Sequence, residues 1–154
     1  AGQFDVGDRK KAVSLSELDP IYKQLLDKPV VMILAVIGPD GRPGLTPMWC
    51  DYEGDQILVN TAAQRPKCKW IRNNPKLTLL LVNPENPYHW MSIKCTVAEE
   101  VLEEDDPNVT KQLDKIWTEY TNEEPPYGLR DPSIDEKRVL FKCNIDRIAT
   151  FGKP

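Results

Sequence analysis

The chain has 154 residues, 40% of them apolar, with a net charge of −4 and a single histidine. Its length is typical of one domain with one core, and the acidic balance excludes a general nucleic-acid binder, which needs a basic surface. No apolar run approaches the roughly 18 residues of a membrane span, and the N-terminus lacks the apolar region of a signal peptide, so we expect a cytoplasmic protein with no membrane partner.

The N-terminal part predicts a short tail followed by helix. Residues 1–13 are polar and aperiodic, and we interpret them as a flexible segment before a single domain over residues 14–154. Ser14 and Glu17 fit a capping box, and Asp19-Pro20 offers a second helix start. The four cysteines, Cys50, Cys68, Cys95 and Cys143, have no metal-ligand spacing and are predicted to be reduced, buried or half-buried thiols.

Residues 30–61 are rich in β-formers and are broken twice by turn residues, which predicts a three-stranded antiparallel meander. Its middle strand holds Pro43 and Pro47, which cannot donate hydrogen bonds to a ladder, so it should be an edge or bulged strand. A break in the ladder would leave the N–H groups of Met48 and Trp49 free for a flat heteroaromatic ring. The alternative is an edge that is merely protected against aggregation.

Residues 58–75 contain the strongest functional signal, a strand that turns into a short helix opened by Pro66 and closed by Pro75. Arg65, Lys67 and Lys69 crowd the helix start, where each cation should cost about 0.3–1 kcal/mol unless an anion lies between them. The pattern therefore predicts a phosphate site. The alternative is an exposed basic helix whose lysines extend into solvent.

The remaining chain predicts further strands and one long helix. We expect strands over residues 77–82, 91–97 and 139–145, a helix that opens at Asp106-Pro107 and covers a barrel, and a loop over residues 122–138. His89 is interpreted as a surface or interface residue and not as a catalytic base. These elements predict a mostly β fold with peripheral helices, a small closed or split β-barrel of six or so antiparallel strands and two to three outer helices.

Three segments in this order, GPDGRPGLTPMWCDYEGDQILVNT, QRPKCKWIRNNPKLTLLLVNPENPYHW and RVLFKCNIDRIATFG, resemble the pyridoxamine 5′-phosphate oxidase-like split-barrel superfamily, and within it the flavin and deazaflavin-dependent oxidoreductases. The resemblance covers roughly residues 26–151. It implies that Arg65 and Lys67 bind the cofactor phosphate with Thr61 as a hydroxyl donor. It also implies that Thr46-Pro47-Met48-Trp49 lies along the tricyclic ring.

The resemblance further implies a homodimer with two cofactor sites at its interface, to which Asn86, Pro87, Tyr88 and the partner's C-terminal segment contribute. Pro66 departs from the small or basic residue that the superfamily often has at this position. The chain lacks the C-terminal stretch rich in Arg and His of pyridoxamine phosphate oxidase itself, so vitamin B6 oxidation is disfavoured.

The function that this resemblance implies is an oxidoreductase that transfers a hydride between reduced deazaflavin coenzyme F420 and an unsaturated small organic molecule. The cofactor would supply the chemistry, which agrees with a sequence that has no triad, paired carboxylates or metal cluster. The alternatives are an FMN-binding oxidoreductase of the same class, or a non-catalytic protein that binds or carries flavin, F420 or haem. We favour F420 because its anionic tail could use a basic cluster formed by Lys69, Arg72, Lys76 and Arg42.

Overall fold

The computed structural model describes residues 12–154, which form seven strands and three helices. In chain order these are α1 (Pro20–Asp27), β1 (Met32–Ile37), β2 (Pro43–Met48), β3 (Asp51–Glu53), β4 (Gln56–Ala62), α2 (Pro66–Asn73), β5 (Lys76–Val82), β6 (Trp90–Leu102), α3 (Asn108–Thr121) and β7 (Arg138–Phe151). All strands belong to one antiparallel sheet in the order β2-β1-β5-β6-β7-β4-β3. This confirms the predicted fold class, with seven strands where about six were expected.

The predicted middle strand of the meander is two strands that lie at opposite edges of the sheet. β2 pairs with β1, whereas β3 pairs with β4. Only Trp49 and Cys50 separate them, and three residue steps of extended chain reach at most about 11 Å. The sheet must therefore curl until its two edges approach each other. The three-stranded meander was wrong, because the alternation of apolar residues does not reveal which neighbour a strand pairs with.

The two prolines of β2 fit an edge strand without breaking its ladder. The register with β1 runs without a shift from the pair Ile37 and Pro43 to the pair Met32 and Met48. Prolines four residues apart lie on the same side of a strand, and both fit positions whose missing N–H would point away from β1. The prediction of an edge is confirmed. The predicted break in the ladder does not occur, because Met48 is itself paired.

The main core lies on the inner face of the curled sheet, and α1 and α2 pack against its ends. Alternate residues of β1, β5 and β6 point inward, while β4 is buried along almost its whole length. The fully buried larger side chains include Tyr22, Met32, Leu34, Ile57, Ile71, Leu77, Leu79, Leu81, Met91, Ile93 and Phe141. A second, small cluster of Leu58, Val109 and Leu140 lies beneath α3. β4 is covered on both faces because it separates these two clusters.

Helix starts agree only in part with the predicted caps. Asp19 caps α1, where its carboxylate accepts a hydrogen bond from the Ile21 N–H at 3.1 Å. Ser14 and Glu17 do not form a capping box. The Ser14 hydroxyl donates directly to the Glu17 carboxylate at 3.0 Å, and residues 15–17 make a single 3₁₀ turn without a side-chain cap. The capping box was wrong because the Ser14 hydroxyl is used by the Glu17 carboxylate, while the Glu17 N–H bonds to the Ser14 carbonyl at 3.3 Å.

The N-terminal segment begins to join the fold just before residue 14. Ala12 is buried and forms an isolated bridge with Ile148. The structure therefore includes two residues of the segment predicted to be flexible, and the rest of that prediction falls on residues 1–11, outside the described residues. Over residues 12–154, no helix is both long and apolar enough to cross a membrane.

The last strands are longer than the alternation predicts. β6 has 13 residues and β7 has 14, and their pairing shifts register between Lys94 and Cys95 and again between Val97 and Glu99. A bulge changes which side chains face inward. The alternation of apolar and polar residues therefore stops at the bulge, although the strand continues. All four cysteines are free and buried, as predicted.

Candidate functional site

A cleft of about 530 Å³ opens between the edge strand β2, the end of β4, the start of α2 and one face of α3. Its lining residues are Val31, Thr46, Pro47, Met48, Trp49, Asn60, Thr61, Arg65, Lys67, Leu113, Ile116, Tyr127, Leu129 and Arg138. Seven of the eleven predicted site residues meet here, namely Thr46, Pro47, Met48, Trp49, Thr61, Arg65 and Lys67. The edge strand and the basic helix start therefore line one cleft, and the binding role of these residues stays a prediction.

The start of α2 carries positive charge that nothing in the described chain neutralises. Pro66 is the first helical residue, Arg65 occupies the N-cap without a side-chain cap, and the first turn has no acidic residue. Lys67 is half-buried and donates to the Thr46 hydroxyl at 3.0 Å and towards the Met48 sulfur at 3.2 Å. Neither Arg65 nor Lys67 belongs to any of the ion pairs found over residues 12–154.

The electrostatics at Lys67 reflect this missing counter-charge. Burial lowers the pKa of the Lys67 ammonium, and the neighbouring Arg65 and Arg138 cations lower it further. A like charge and a loss of hydration both disfavour the charged form. A bound anion would offset both effects, because an opposite charge nearby stabilises the charged form of the lysine.

Three cations, Arg65, Lys67 and Arg138, line the cleft, and its lining includes neither a carboxylate nor a histidine. Arg138 is paired with the Glu136 carboxylate behind it at 3.0 Å, so the excess positive charge comes from Arg65 and Lys67. A concave site lined by charge of one sign concentrates oppositely charged ligands. This local positive potential stands out because the whole chain has a net charge of −4. The cleft is therefore suited to an anionic ligand.

An aromatic wall forms the other part of the cleft. Trp49 stacks on Tyr120 with ring centroids 5.4 Å apart and an interplanar angle of 19°, and it meets the edge of Tyr127 at 6.3 Å. Trp117 packs against Tyr127 at 5.7 Å. Gly128 lies so close to Trp117 that an added Cβ would come within 3.2 Å of the indole. The wall is thus held by close packing, and Trp49 and Tyr127 are its members that line the cleft.

Arg138 is the functional candidate that the sequence analysis missed. It was assigned to the end of a loop, but it is the first residue of β7, only 7% exposed, and lines the cleft. Its guanidinium donates to the Asn60 side chain and the Glu136 carboxylate, each at 3.0 Å, and lies 5.2 Å from the centre of the Tyr127 ring. The sequence offered one sign of this cluster, the polar Asn60 that directly follows the apolar strand residues 57–59.

Four predicted site residues lie outside this cleft. Lys69 is on the exposed side of α2, and Asn86, Pro87 and Tyr88 belong to the turn between β5 and β6. Asn86 donates to the Lys153 carbonyl at 2.8 Å, which ties that turn to the C-terminal residues. The contribution of Asn86, Pro87 and Tyr88 to a cofactor site at a dimer interface stays a prediction.

The basic cluster predicted for a cofactor tail is partly neutralised. Arg72 binds the Glu100 carboxylate at 2.8 Å, and Arg42 binds Asp40 at 2.7 Å. Neither arginine lines the cleft, and neither does Lys76. Lys69 and Lys76 make none of the ion pairs in residues 12–154.

His89 is not a surface residue, contrary to the prediction. Only 1% of it is exposed, its Nδ1 pairs with the Asn83 amide at 3.0 Å, and its ring lies 5.5 Å from that of Tyr22. Burial is the main cause that lowers its pKa, which favours the neutral ring. The turn before β6 folds back against α1, and this tertiary contact buries the histidine. It does not line the cleft.

Metal chemistry finds no support in the described chain. No group of three or more His, Cys, Asp or Glu side chains within residues 12–154 could hold a metal ion. The cleft can therefore offer cations, hydroxyls, an amide and aromatic faces. These groups can bind and orient a ligand.

Comparison with known proteins shows which family the chain belongs to. The sequence family described as pyridoxamine 5′-phosphate oxidase matches residues 18–152. The chain belongs to this family. Among curated proteins, no match is found.

Solved structures similar to this member of the pyridoxamine 5′-phosphate oxidase family have different ligands in their names. An F420 reductase is 24% identical over 86% of this chain and 98% of its own, with a TM-score of 0.71. An FAD-binding protein from Mesorhizobium loti is 19% identical over 94% and 98%, with a TM-score of 0.55. The haem storage protein of Vibrio cholerae is 12% identical over 88% and 96%, with a TM-score of 0.61. At these identities the likeness concerns the fold.

Proposed function

We propose that this protein is an oxidoreductase that transfers a hydride between reduced F420 and an unsaturated small organic molecule. The observation that carries the proposal is Lys67, a half-buried cation without a counter-charge in residues 12–154, beside a helix start and opposite an aromatic wall. A ligand that fits both parts has a phosphate and a flat ring. Coenzymes of the flavin type have this composition.

The donor set of the cleft fits such a coenzyme. The Arg65 and Lys67 side-chain cations would hold the phosphate at the positive end of α2. The Thr46 and Thr61 hydroxyls border it, and Trp49 offers a flat face to the ring. The volume of about 530 Å³ falls in the range of about 300–1,000 Å³ that is usual for small-molecule sites.

The role of the side chains would be to bind, orient and exclude water. The coenzyme supplies the hydride when it is bound. The cleft lining has no carboxylate or histidine that could act as a general acid or base. Val31, Leu113, Ile116 and Leu129 would keep the reacting faces in apolar surroundings. The coenzyme would thus supply the chemistry and the side chains the binding, as in the predicted site, which has no catalytic side chain.

Two observations favour F420 over FMN. A structural neighbour is an F420 reductase, and Lys69, at the exposed side of α2 without an ion pair in residues 12–154, could contact a polyglutamate tail. Arg72 and Arg42 contribute less than the sequence suggested, since each already has a carboxylate partner. FMN is the alternative, because its single phosphate needs only Arg65 and Lys67.

A non-catalytic carrier of the cofactor or of haem is the second candidate function. The haem storage protein among the similar structures favours it. The position of His89 argues against haem with a histidine ligand in this cleft, since this one histidine of the chain is buried elsewhere. Turnover separates the two functions, because a carrier binds without passing electrons to an acceptor.

A homodimer is part of the proposal because the outer face of the edge formed by β1 and β2 is apolar. Val31, Ile33 and Leu45 are exposed. The register brings Ile33 beside Pro47 on one side and Leu80 on the other. Val31 and Pro47 also line the cleft, so a partner packed on this face would border the ligand.

The experiment that tests the function combines spectroscopy and turnover. The absorbance spectrum of protein purified from its own host would identify a bound deazaflavin or flavin. Oxidation of reduced F420 by a panel of activated alkenes, followed at the deazaflavin absorbance band, would establish catalysis. Tight binding without any oxidation would favour the carrier, and no binding of either tricycle would overturn the proposal.

A further inference from the structure

We infer that Arg138 is a ligand-binding residue, which donates hydrogen bonds to a carbonyl or carboxylate oxygen of the planar group bound near Trp49 and Tyr127. It would act apart from the two phosphate cations, Arg65 and Lys67. The inference rests on the proposed function and deepens it, because it assigns a second polar contact to the ring end of the cleft.

The Arg138 guanidinium is directed away from the phosphate end. The backbone of Arg138 pairs with Ala62, the last residue of β4 before the turn into α2. Its Nε and Nη2 atoms instead bond to the side-chain and main-chain oxygens of Asn60, at 3.0 and 3.3 Å. Asn60 lies two residues earlier, about 7 Å back along the strand. This displacement brings the Cζ atom within 5.2 Å of the Tyr127 ring centre.

Arg138 has donors left for a ligand. An arginine side chain has five N–H groups, and three of them are used by the two Asn60 oxygens and by Glu136 Oε2. The two others belong to the terminal nitrogens and have no acceptor among the described residues. The Glu136 carboxylate, itself buried, offsets the arginine charge. Arg138 would therefore act as a directional donor, which suits an oxygen in the plane of a ring.

Asn60 is the positioning residue for this guanidinium. Its Nδ2 group donates to the Val109 carbonyl at 3.1 Å and to Gln112 Oε1 at 2.9 Å. Only one orientation of the amide allows these bonds and also leaves Oδ1 to accept from Arg138. Gln112 is held in turn by the Asp51 carboxylate at 3.1 Å. A chain of hydrogen bonds from α3 thus fixes the arginine at the ring end.

The test compares F420 with its deazaflavin chromophore lacking the phosphate and tail. We expect Arg138→Lys, which keeps the charge but loses the planar fork, to weaken binding of both compounds by the same factor, about tenfold. Lys67→Ala should weaken only the compound with the phosphate. The absorption maximum of the bound chromophore should also shift in Arg138→Lys, because a hydrogen bond to the ring oxygen is lost.

The oxygen that accepts from Arg138 belongs either to the coenzyme ring or to the electron acceptor. The Arg138→Lys variant distinguishes the two. Weaker binding of the phosphate-free chromophore would assign the oxygen to the ring. Unchanged chromophore binding, with a KM for the acceptor raised about tenfold and a kept kcat, would assign it to the acceptor. Either result supports a ligand-binding role.

The matched control is Arg130→Lys. Arg130 belongs to the same network through Glu103 and the Glu136 carbonyl, but it does not line the cleft. It should leave both dissociation constants and the absorption maximum unchanged. Equal effects of the two lysine variants would mean that Arg138 is merely structural, and an Arg138→Lys effect confined to the phosphate-bearing compound would make it a third phosphate cation. Both outcomes overturn the inference.

A second variant covers the case in which Arg138→Lys does not fold. Glu136→Gln keeps an acceptor for the guanidinium and removes its counter-charge, so the phosphate-free chromophore should bind a few-fold more tightly. Unchanged or weaker binding by folded Glu136→Gln would contradict the inference. If the wild-type protein binds neither compound, the proposed function itself fails, which is distinct from failure of the Arg138 assignment.

Discussion

The Lys67 ammonium lies 3.0 Å from the Thr46 hydroxyl, and this contact joins the start of α2 to the edge strand β2 across the mouth of the cleft. The hydroxyl satisfies a hydrogen bond without supplying negative charge. The lysine is therefore ordered before a ligand arrives but stays electrostatically unsatisfied. Ordering of this kind lowers the entropy that an anion would have to remove on binding.

Lys67→Ala should weaken cofactor binding much more than folding. Loss of a charge-assisted contact to phosphate typically costs about 1.5–3 kcal/mol, which corresponds to a dissociation constant raised roughly 10- to 150-fold. The free energy of unfolding should stay equal or rise, because a cation is removed from a positive helix end. Fluorescence titration and urea unfolding measure the two quantities. Lys111→Ala on α3, outside this cleft, is the control, and a destabilised Lys67→Ala variant with unchanged affinity would refute the phosphate role.

The cost of burying the charged Lys67 should make the free energy of unfolding of the ligand-free protein depend on pH. Burial lowers the pKa of Lys67 in the folded protein from its ordinary 10.5, so between the two values the unfolded chain binds more protons and the unfolding free energy rises with pH. Lys67→Met lacks this rise. The variant should thus be the more stable protein at pH 7, and its advantage should shrink as the pH approaches 10.5.

Urea unfolding of both proteins at several pH values measures this difference. Lys69→Met, from the exposed side of the same helix, shows how much of any change comes from losing a lysine in general. An advantage of Lys67→Met that grows with pH would have the wrong sign and would remove the argument from burial.

Salt should distinguish F420 from FMN. A polyglutamate tail near Lys69 predicts that F420 binds more tightly than FMN and that its affinity falls more steeply with ionic strength. Lys69→Ala should weaken F420 by well under about 1 kcal/mol, since the contact is exposed, and should leave FMN unchanged. Titration of apoprotein with each cofactor at low and at high salt gives the four dissociation constants. Tighter binding of FMN with a shallow salt response would show that the wrong cofactor was chosen.

The exposed β1 and β2 face should hold a dimer together. Ile33→Asp puts a carboxylate where the partner would pack, and an unpaired buried charge costs about 3 kcal/mol or more, which raises the dimer dissociation constant by at least roughly 100-fold. Sedimentation equilibrium at micromolar concentration measures it. Ile134→Asp changes a comparably exposed isoleucine in a loop and should leave the mass unchanged. A monomeric wild-type protein with cofactor present would eliminate the dimer.

Gly152 should be intolerant of any side chain. It has a φ of +78°, and an added Cβ would lie 1.9 Å from the Tyr88 carbonyl oxygen. Its own carbonyl accepts a hydrogen bond from the Tyr22 hydroxyl at 2.7 Å. Gly152→Ala should therefore lower the free energy of unfolding by more than the strain of a left-handed backbone alone, which is about 1–2 kcal/mol.

Gly41→Ala provides the matched comparison, with a φ of +80° and no atom within 4 Å of the added Cβ. Thermal unfolding of both variants measures the difference, which isolates the clash from the strain. Equal losses would show that the turn before β6 can move away from the C-terminal strand.

The sequence by itself determined the features that depend on neighbouring residues. Pro66 and Pro75 bound α2 because proline opens a helix and cannot lie within one. Pro43 and Pro47 identified β2 as an edge because a proline has no N–H for an inner ladder. The cations of the α2 start could be recognised because their conflict with the helix dipole lies within one turn.

Only the tertiary structure decided which of these features meet. The split of one predicted strand into β2 and β3, at opposite edges, brings the edge strand to the helix start. The Asn60 and Arg138 cluster joins residues 78 apart in the chain, and His89 is buried by a turn that folds onto α1. Such contacts arise because a closing sheet pairs strands that are distant in sequence, and local patterns carry no information about which distant partner lowers the free energy most.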